Sequence, residues 1–131
     1  MEQWQADWAY QKYWVMARSQ HLYNAWRRLA RNNQWDDDKA VIANELRLAA
    51  SEMQPTVKTL RNTYQHVWGY FKRSATPVEK AEFQAALADL TPETDHVGPL
   101  LLRLAHQYQV DYLLQSRLLQ EWEDDDHASL A

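Results

Sequence analysis

The sequence predicts an all-α fold, a single helical domain of about six or seven helices. Three observations carry this reading. Helical periodicity runs through most windows, whereas clean apolar–polar alternation bounded by turn residues is missing. Only two of the 131 residues are glycine, which leaves little material for hairpin turns. Hydrophobic residues make up 46% of the chain, enough for one packed core and too many for disorder.

The elements follow in order. The first helix spans about Gln5 to Ala17. Trp4, Trp8 and Val15 share one face, and Tyr10, Tyr13, Trp14 and Met16 cover the others, so it is buried or meets a partner. Ser19 is an N-cap candidate for a second helix carrying Leu22, Trp26 and Leu29, which Asn32-Asn33 ends. Asp36, Asp37 and Asp38 open a third, where acids complement the positive end of the helix dipole. Its apolar stripe reads Val41, Ile42, Leu46, Ala49, Ala50 and Met53. Pro55 restarts the chain as a first-turn proline. Thr76-Pro77-Val78-Glu79 is a capping box that opens a helix with Phe83, Ala86, Leu87 and Leu90, and Thr91-Pro92 stops it. After Gly98-Pro99, Leu100 to Trp122 reads as one helix or as two broken near Gln109. The helical domain thus covers 1–122, and 123–131 forms an acidic tail expected to be mobile.

The stretch QHVWGYFKR, residues 65–73, carries the densest mixture of side chains. On a helical wheel over 55–73, Val57, Leu60, Tyr64, Val67, Trp68 and Phe71 fall within about 100° and form the core face. Asn62, His66, Gly69 and Arg73 fall opposite, with Tyr70 beside them. A glycine inside a helix costs roughly 1 kcal/mol relative to alanine. Close approach of a helix or ligand would explain it, and so would simple exposure.

Composition excludes several functions. Without cysteine there is no disulfide framework, no thiol nucleophile and no thiolate-held cluster on this chain. No apolar run reaches a membrane span, and the polar N-terminus is unlike a secretory signal, so the cytoplasm is the expected compartment. The net charge is −4, but Glu121, Glu123, Asp124, Asp125 and Asp126 crowd the C-terminal end. Setting these five of the 18 acids aside leaves 13 against 14 Lys and Arg, a body of about one positive charge.

Chemical motifs are sparse. The histidines His21, His66, His96, His106 and His127 show no metal-ligand spacing, and no metal or other cofactor is expected. His66 has the side chain for acid–base work, with Lys72 or Lys12 as electrostatic partners. Lys12 sits among Trp8, Tyr13 and Val15, where it snorkels to water, stacks on an indole or binds an anion. No nucleophile elbow or phosphate loop is present. Arg18, Arg27, Arg28 and Arg31 lie near Tyr23 and Trp26, a pairing that suits nucleic acid but also describes a solvated face. The apolar first helix would also serve a homodimer.

Three motifs carry a family resemblance. His66-Val67-Trp68-Gly69-Tyr70-Phe71-Lys72 is the clearest. Upstream stand Lys12-Tyr13, Met16-Ala17-Arg18-Ser19 and Tyr23. Downstream stand Pro99-Leu100, Leu102 and Tyr112-Leu113-Leu114-Gln115. Over roughly residues 11 to 119 the chain resembles the YbgA-like domain of unknown function, a small bacterial domain found alone or fused to a thiouracil-desulfidase-like domain. Trp26-Arg27-Arg28 replaces that family's glycine-bearing turn, Ser116 replaces a second glutamine, and a Tyr-Arg-Gly run before the Pro-Leu motif is absent.

The resemblance implies no established reaction. It implies a setting near modified nucleobases or nucleic-acid repair, and a desulfidase-like protein partner. The first expectation is therefore a non-catalytic binding or accessory domain. Its site would be His66, Gly69, Tyr70, Lys72, Lys12, Tyr13, Arg18 and Arg73, taking a nucleobase-like or anionic small ligand. The alternatives are an enzyme using His66 as acid–base and a purely structural or dimerising module.

Overall fold

In the computed structural model, which describes residues 1–130 and side chains as far as residue 126, the described residues form eight α-helices and no strand. Seven of the helices have at least seven residues. They are α1 (Gln3–Arg18), α2 (Gln20–Leu29), α3 (Asp37–Ser51), α4 (Val57–Trp68), α5 (Pro77–Ala88), α6 (Val97–Gln107), α7 (Asp111–Leu114) and α8 (Arg117–Leu130). No helix among the described residues is long and apolar enough to cross a membrane.

The helix starts follow local chemistry. Ser19 ends α1 in an extended conformation and its hydroxyl accepts from Leu22 N at 3.1 Å, so one residue separates α1 from α2. Asp36 caps α3 through Lys39 N at 2.8 Å. Thr76 and Glu79 form the expected reciprocal box, with Pro77 in the first turn of α5. Between α2 and α3 the chain turns through Asn32 and Asn33 at φ 63° and 56°, a left-handed region that asparagine tolerates better than most residues. Gln109 at φ 54° separates α6 from α7, resolving the break expected there.

Helix α1 explains its own composition. Tyr13, Trp14, Val15, Met16 and Ala17 are all buried, so every side of this segment is covered. Tyr13, Met16 and Ala17 face the larger apolar cluster with Tyr64, Val67 and Trp68 of α4, Phe83 of α5, and the leucines of α6 and α8. There Trp68 stacks on Phe83, centroids 4.4 Å apart. Trp14 and Val15 face a smaller cluster with Trp26 of α2 and Ala43 and Ala50 of α3. The all-round apolar segment is enclosed within this one chain.

Trp14 is the joint between α1 and α8. The guanidinium carbons of Arg18 and Arg117 lie 3.9 and 3.7 Å from its ring centroid. Two groups this close cannot share one face, so the indole is held between them. Its N–H donates to Glu121 Oε1 at 3.1 Å, and Arg117 donates to Glu121 and to Gln11. Burial pulls the Arg18 guanidinium below its ordinary pKa, Glu121 opposes this, and Arg117 adds to it.

Four expectations are corrected. Pro55 precedes α4 instead of entering it, because Thr56 is the cap and shares a box with Thr59. The α3 stripe is rotated. Ala43 and Ala50 are buried with Leu46 half-buried, while Val41, Ile42, Leu48 and Met53 stay exposed, because small alanines let α3 lie close to Trp26. Helix α4 stops at Trp68 instead of reaching Arg73, since the backbone then tightens into shorter bonds such as Tyr70 N to Val67 O at 3.1 Å. Helix α8 continues past Trp122 through residue 130, across most of the span read as a tail, and Ala131 lies outside the described residues.

Glu79 locks α5 to α6 beyond its capping role. It accepts from Thr76 N at 2.8 Å, from Gln107 Nε2 at 2.9 Å and from the Tyr108 hydroxyl. The Tyr108 bond first, then the Thr76 amide, hold its carboxyl below the ordinary value near 4.5. A depressed carboxylate stabilises the fold above its unfolded pKa, and this is lost as pH falls through the folded value. Glu79→Gln should therefore lower the melting temperature at pH 7. In thermal melts the deficit should shrink from pH 5 to pH 3, and a deficit independent of pH would show that the charge contributes nothing.

Candidate functional site

The three sequence motifs meet at one point. Lys12 and Tyr13 come from α1, Tyr70 from the turn after α4, and Tyr112 from α7. Tyr13 and Tyr70 share a hydroxyl–hydroxyl hydrogen bond at 2.9 Å. Tyr70 stacks on Tyr112 with centroids 6.0 Å apart and planes 23° from parallel. The Lys12 ammonium lies 5.1 Å from the Tyr13 centroid and 5.0 Å from that of Tyr112. Of the three readings for Lys12, the structure shows cation–π packing, on tyrosines instead of an indole. Its ammonium has no carboxylate partner among the described residues. Burial raises the Tyr13 phenol well above its ordinary pKa, helped by the Tyr70 bond, so it stays a neutral donor.

The remaining expected site residues lie apart from this cluster. His66 is exposed on α4, and Lys72 and Arg73 are exposed in the turn that follows. None of these three side chains has a hydrogen-bond or ion-pair partner among the described residues. Arg18 is committed to Trp14. His21 is exposed, His96 pairs loosely with Asp89 at 3.8 Å, and His106 meets Glu123. His127 lies outside the described side chains. Among the described residues no group of three or more His, Asp or Glu converges to hold a metal ion.

Gly69 has a local explanation. It caps α4 at φ −53° and ψ −26°, ordinary right-handed helix geometry. A Cβ there would meet the carbonyl oxygen of His66 at 3.0 Å, and no other heavy atom lies within 4 Å apart from its chain neighbours. The close approach is made by its own preceding turn, and neither a second helix nor a side chain crosses the position.

Tyr112 leads from the tyrosine cluster into a cleft of about 830 Å³. Trp4 and Trp8, four residues apart on one face of α1, form one wall. Arg27, Arg28 and Arg31, from the end of α2 and the turn after it, form the other. Asn24 and Asn33 add amides, and Gln5 hydrogen-bonds to Asn33 to pin the left-handed turn against α1. No Asp or Glu lines this cleft, although the chain as a whole is acidic. Trp26, expected beside these arginines, is instead buried beneath them and stacks on Trp8 with centroids 5.5 Å apart. The arginines were legible in the sequence. Their facing tryptophans were not, and the signal for them was Trp4-x-x-x-Trp8 on a helix whose C-terminal segment has no free face.

Residues 12–122 match the model of a family described as a protein of unknown function, DUF1722. The chain belongs to this family. The matched span begins at Lys12 and ends at Trp122, so the DUF1722 core contains the tyrosine cluster and the arginines, while Trp4 and Trp8 precede it. No curated protein and no solved structure matches the chain.

The Gly69 geometry fixes the outcome of a substitution in this DUF1722 domain. Alanine would restrict the unfolded chain, worth about 0.4–1 kcal/mol, and would have to push the exposed His66 carbonyl by a few tenths of an ångström. The two effects should offset, leaving Gly69→Ala within about 0.5 kcal/mol of the parent in urea unfolding. A loss above about 2 kcal/mol would show that the turn cannot yield.

Proposed function

We propose that this DUF1722 domain is a non-catalytic binding domain that holds an anionic, nucleobase-bearing ligand in the Arg27–Arg28–Arg31 cleft. The observation supporting this reading is the composition of the cleft walls. Three guanidiniums face Trp4, Trp8 and Tyr112 with no lining carboxylate. Guanidinium forks match phosphate oxygens, and flat aromatic faces match a base. A purely apolar ligand would leave the arginines unused, and a bare anion would leave the indoles unused. The reading keeps the accessory role implied by the family resemblance, beside a desulfidase-like or repair enzyme. It moves the ligand from His66 and Lys72, which do not line the cleft, to the cleft that Tyr112 lines.

Of the Lys12–tyrosine cluster, Tyr112 alone lines the cleft. Tyr112 is held by the Lys12 ammonium and by stacking on Tyr70, whose hydroxyl is in turn hydrogen-bonded to that of Tyr13. Lys12 supplies a further positive charge nearby without a counter-charge of its own.

The test is titration with uridine and adenosine monophosphates, read by tryptophan fluorescence and calorimetry. Binding should quench fluorescence and weaken with salt. The double substitution Arg27→Ala/Arg28→Ala should raise Kd at least about tenfold, the loss of one charge-assisted hydrogen bond. No binding at millimolar nucleotide, or equal binding by the double variant, would overturn the proposal.

A further inference from the structure

The arginine cleft shares Trp4 with a second cleft of about 550 Å³. Trp4 stacks on Trp35, centroids 4.8 Å apart and planes 1° from parallel. Trp35 belongs to the short link between the left-handed turn and α3, so this stack fixes that link against α1. Beyond it the second cleft is lined by Trp26, Asn44 and Arg47. Arg47 donates to Asn44 Oδ1 at 2.8 Å and has no carboxylate partner among the described residues. The indole N–H of Trp26 is buried there without an acceptor. Two carboxylates lie at the clefts among the described residues, and both are engaged: Asp7 lines the second and its Oδ1 accepts from Gln3 at 2.8 Å, and Glu2 Oε2 accepts from the indole N–H of Trp4 at 2.6 Å.

The geometry points to a single-stranded oligonucleotide as the ligand, with its phosphates running from Arg27, Arg28 and Arg31 past Trp4 to Arg47. This rests on the cleft reading above and specifies its ligand. A mononucleotide fills one cleft and leaves Arg47 and the Trp4–Trp35 pair unused. A duplex hides its base faces, whereas a single strand offers one to each aromatic it passes. Four guanidiniums against two carboxylates that are already hydrogen-bonded suit a polyanion, in a chain whose total charge is −4. The acidic residues of the C-terminal end line neither cleft.

The experiment compares a labelled pyrimidine strand of about eight nucleotides, within the range of single-strand binding sites, with thymidine monophosphate. The strand should bind at least about a hundredfold more tightly, with a log–log salt slope near −2.8 for four phosphate contacts. Arg47→Ala should reduce that slope by about 0.7 and weaken the strand severalfold, leaving the monophosphate unaffected. Arg47 makes one side-chain hydrogen bond, to Asn44, and Arg47→Gln, which keeps part of the stem and a donor, repeats the measurement with the melting temperature as a check on the fold. Monophosphate binding as tight as the strand, or an inert Arg47, would overturn the oligonucleotide and leave the cleft reading standing. Equal binding of a duplex or of polyglutamate would overturn it too. Failure of both the strand and the monophosphate would remove both proposals together.

Discussion

Everything in this domain is arranged around a helix with no free side in its C-terminal segment. From Tyr13 to Ala17 the five residues of α1 are buried in succession, so neighbours must surround it. Two apolar clusters form on its flanks instead of one. Truncating a buried aromatic such as Trp14 typically costs about 3–5 kcal/mol, a large share of the total stability of a domain this size. The outer turns of the same helix are freed by this arrangement. With its C-terminal half enclosed, the half carrying Trp4 and Trp8 extends along α2 as a rigid cleft wall.

Several cations in this protein are held by rings, Arg117 while it also pairs with Glu121. Arg18 and Arg117 lie on Trp14, and Lys12 lies between tyrosines. A π face attracts a cation without neutralising it, so the positive charge still projects outward. Eight of the 18 acids lie at the start of α3 and along α8, and of the rest Asp7 lines the second cleft and Glu2 holds the Trp4 indole N–H. Segregation of charge lets an acidic chain present a basic groove.

Local chemistry was legible in the sequence and lateral packing was not. The caps at Ser19, Asp36 and Thr76 depend on residues three or four apart, and the structure places each where the pattern does. The end of α4 was missed because a helical wheel assumes one hydrogen-bond pattern throughout, and the backbone changes pattern at Gly69. The α3 stripe was misread because bulk was taken to mark the inner face, whereas Ala43 and Ala50 are inside because they are small. At the site, Lys12, Tyr13 and Tyr70 lie together. His66 and Lys72 share the motif of Tyr70 and Arg73 follows it, yet none of the three makes a hydrogen bond or ion pair with that cluster. Tyr112 was seen only as part of a motif, because its partners are far away in sequence.

The clamp on Trp14 also orders events during synthesis. The acceptor of its indole N–H and one of its two guanidinium partners belong to residues 121 and 117, more than 100 positions downstream. The flank of α1 facing α2 and α3 can close once about the first 51 residues have left the ribosome. The other flank, with Met16 and Ala17, waits for α6 and α8. Of the eight helices, α1 is made before the others and completed after them. A nascent chain interrupted before α8 leaves the apolar flank of α1 uncovered.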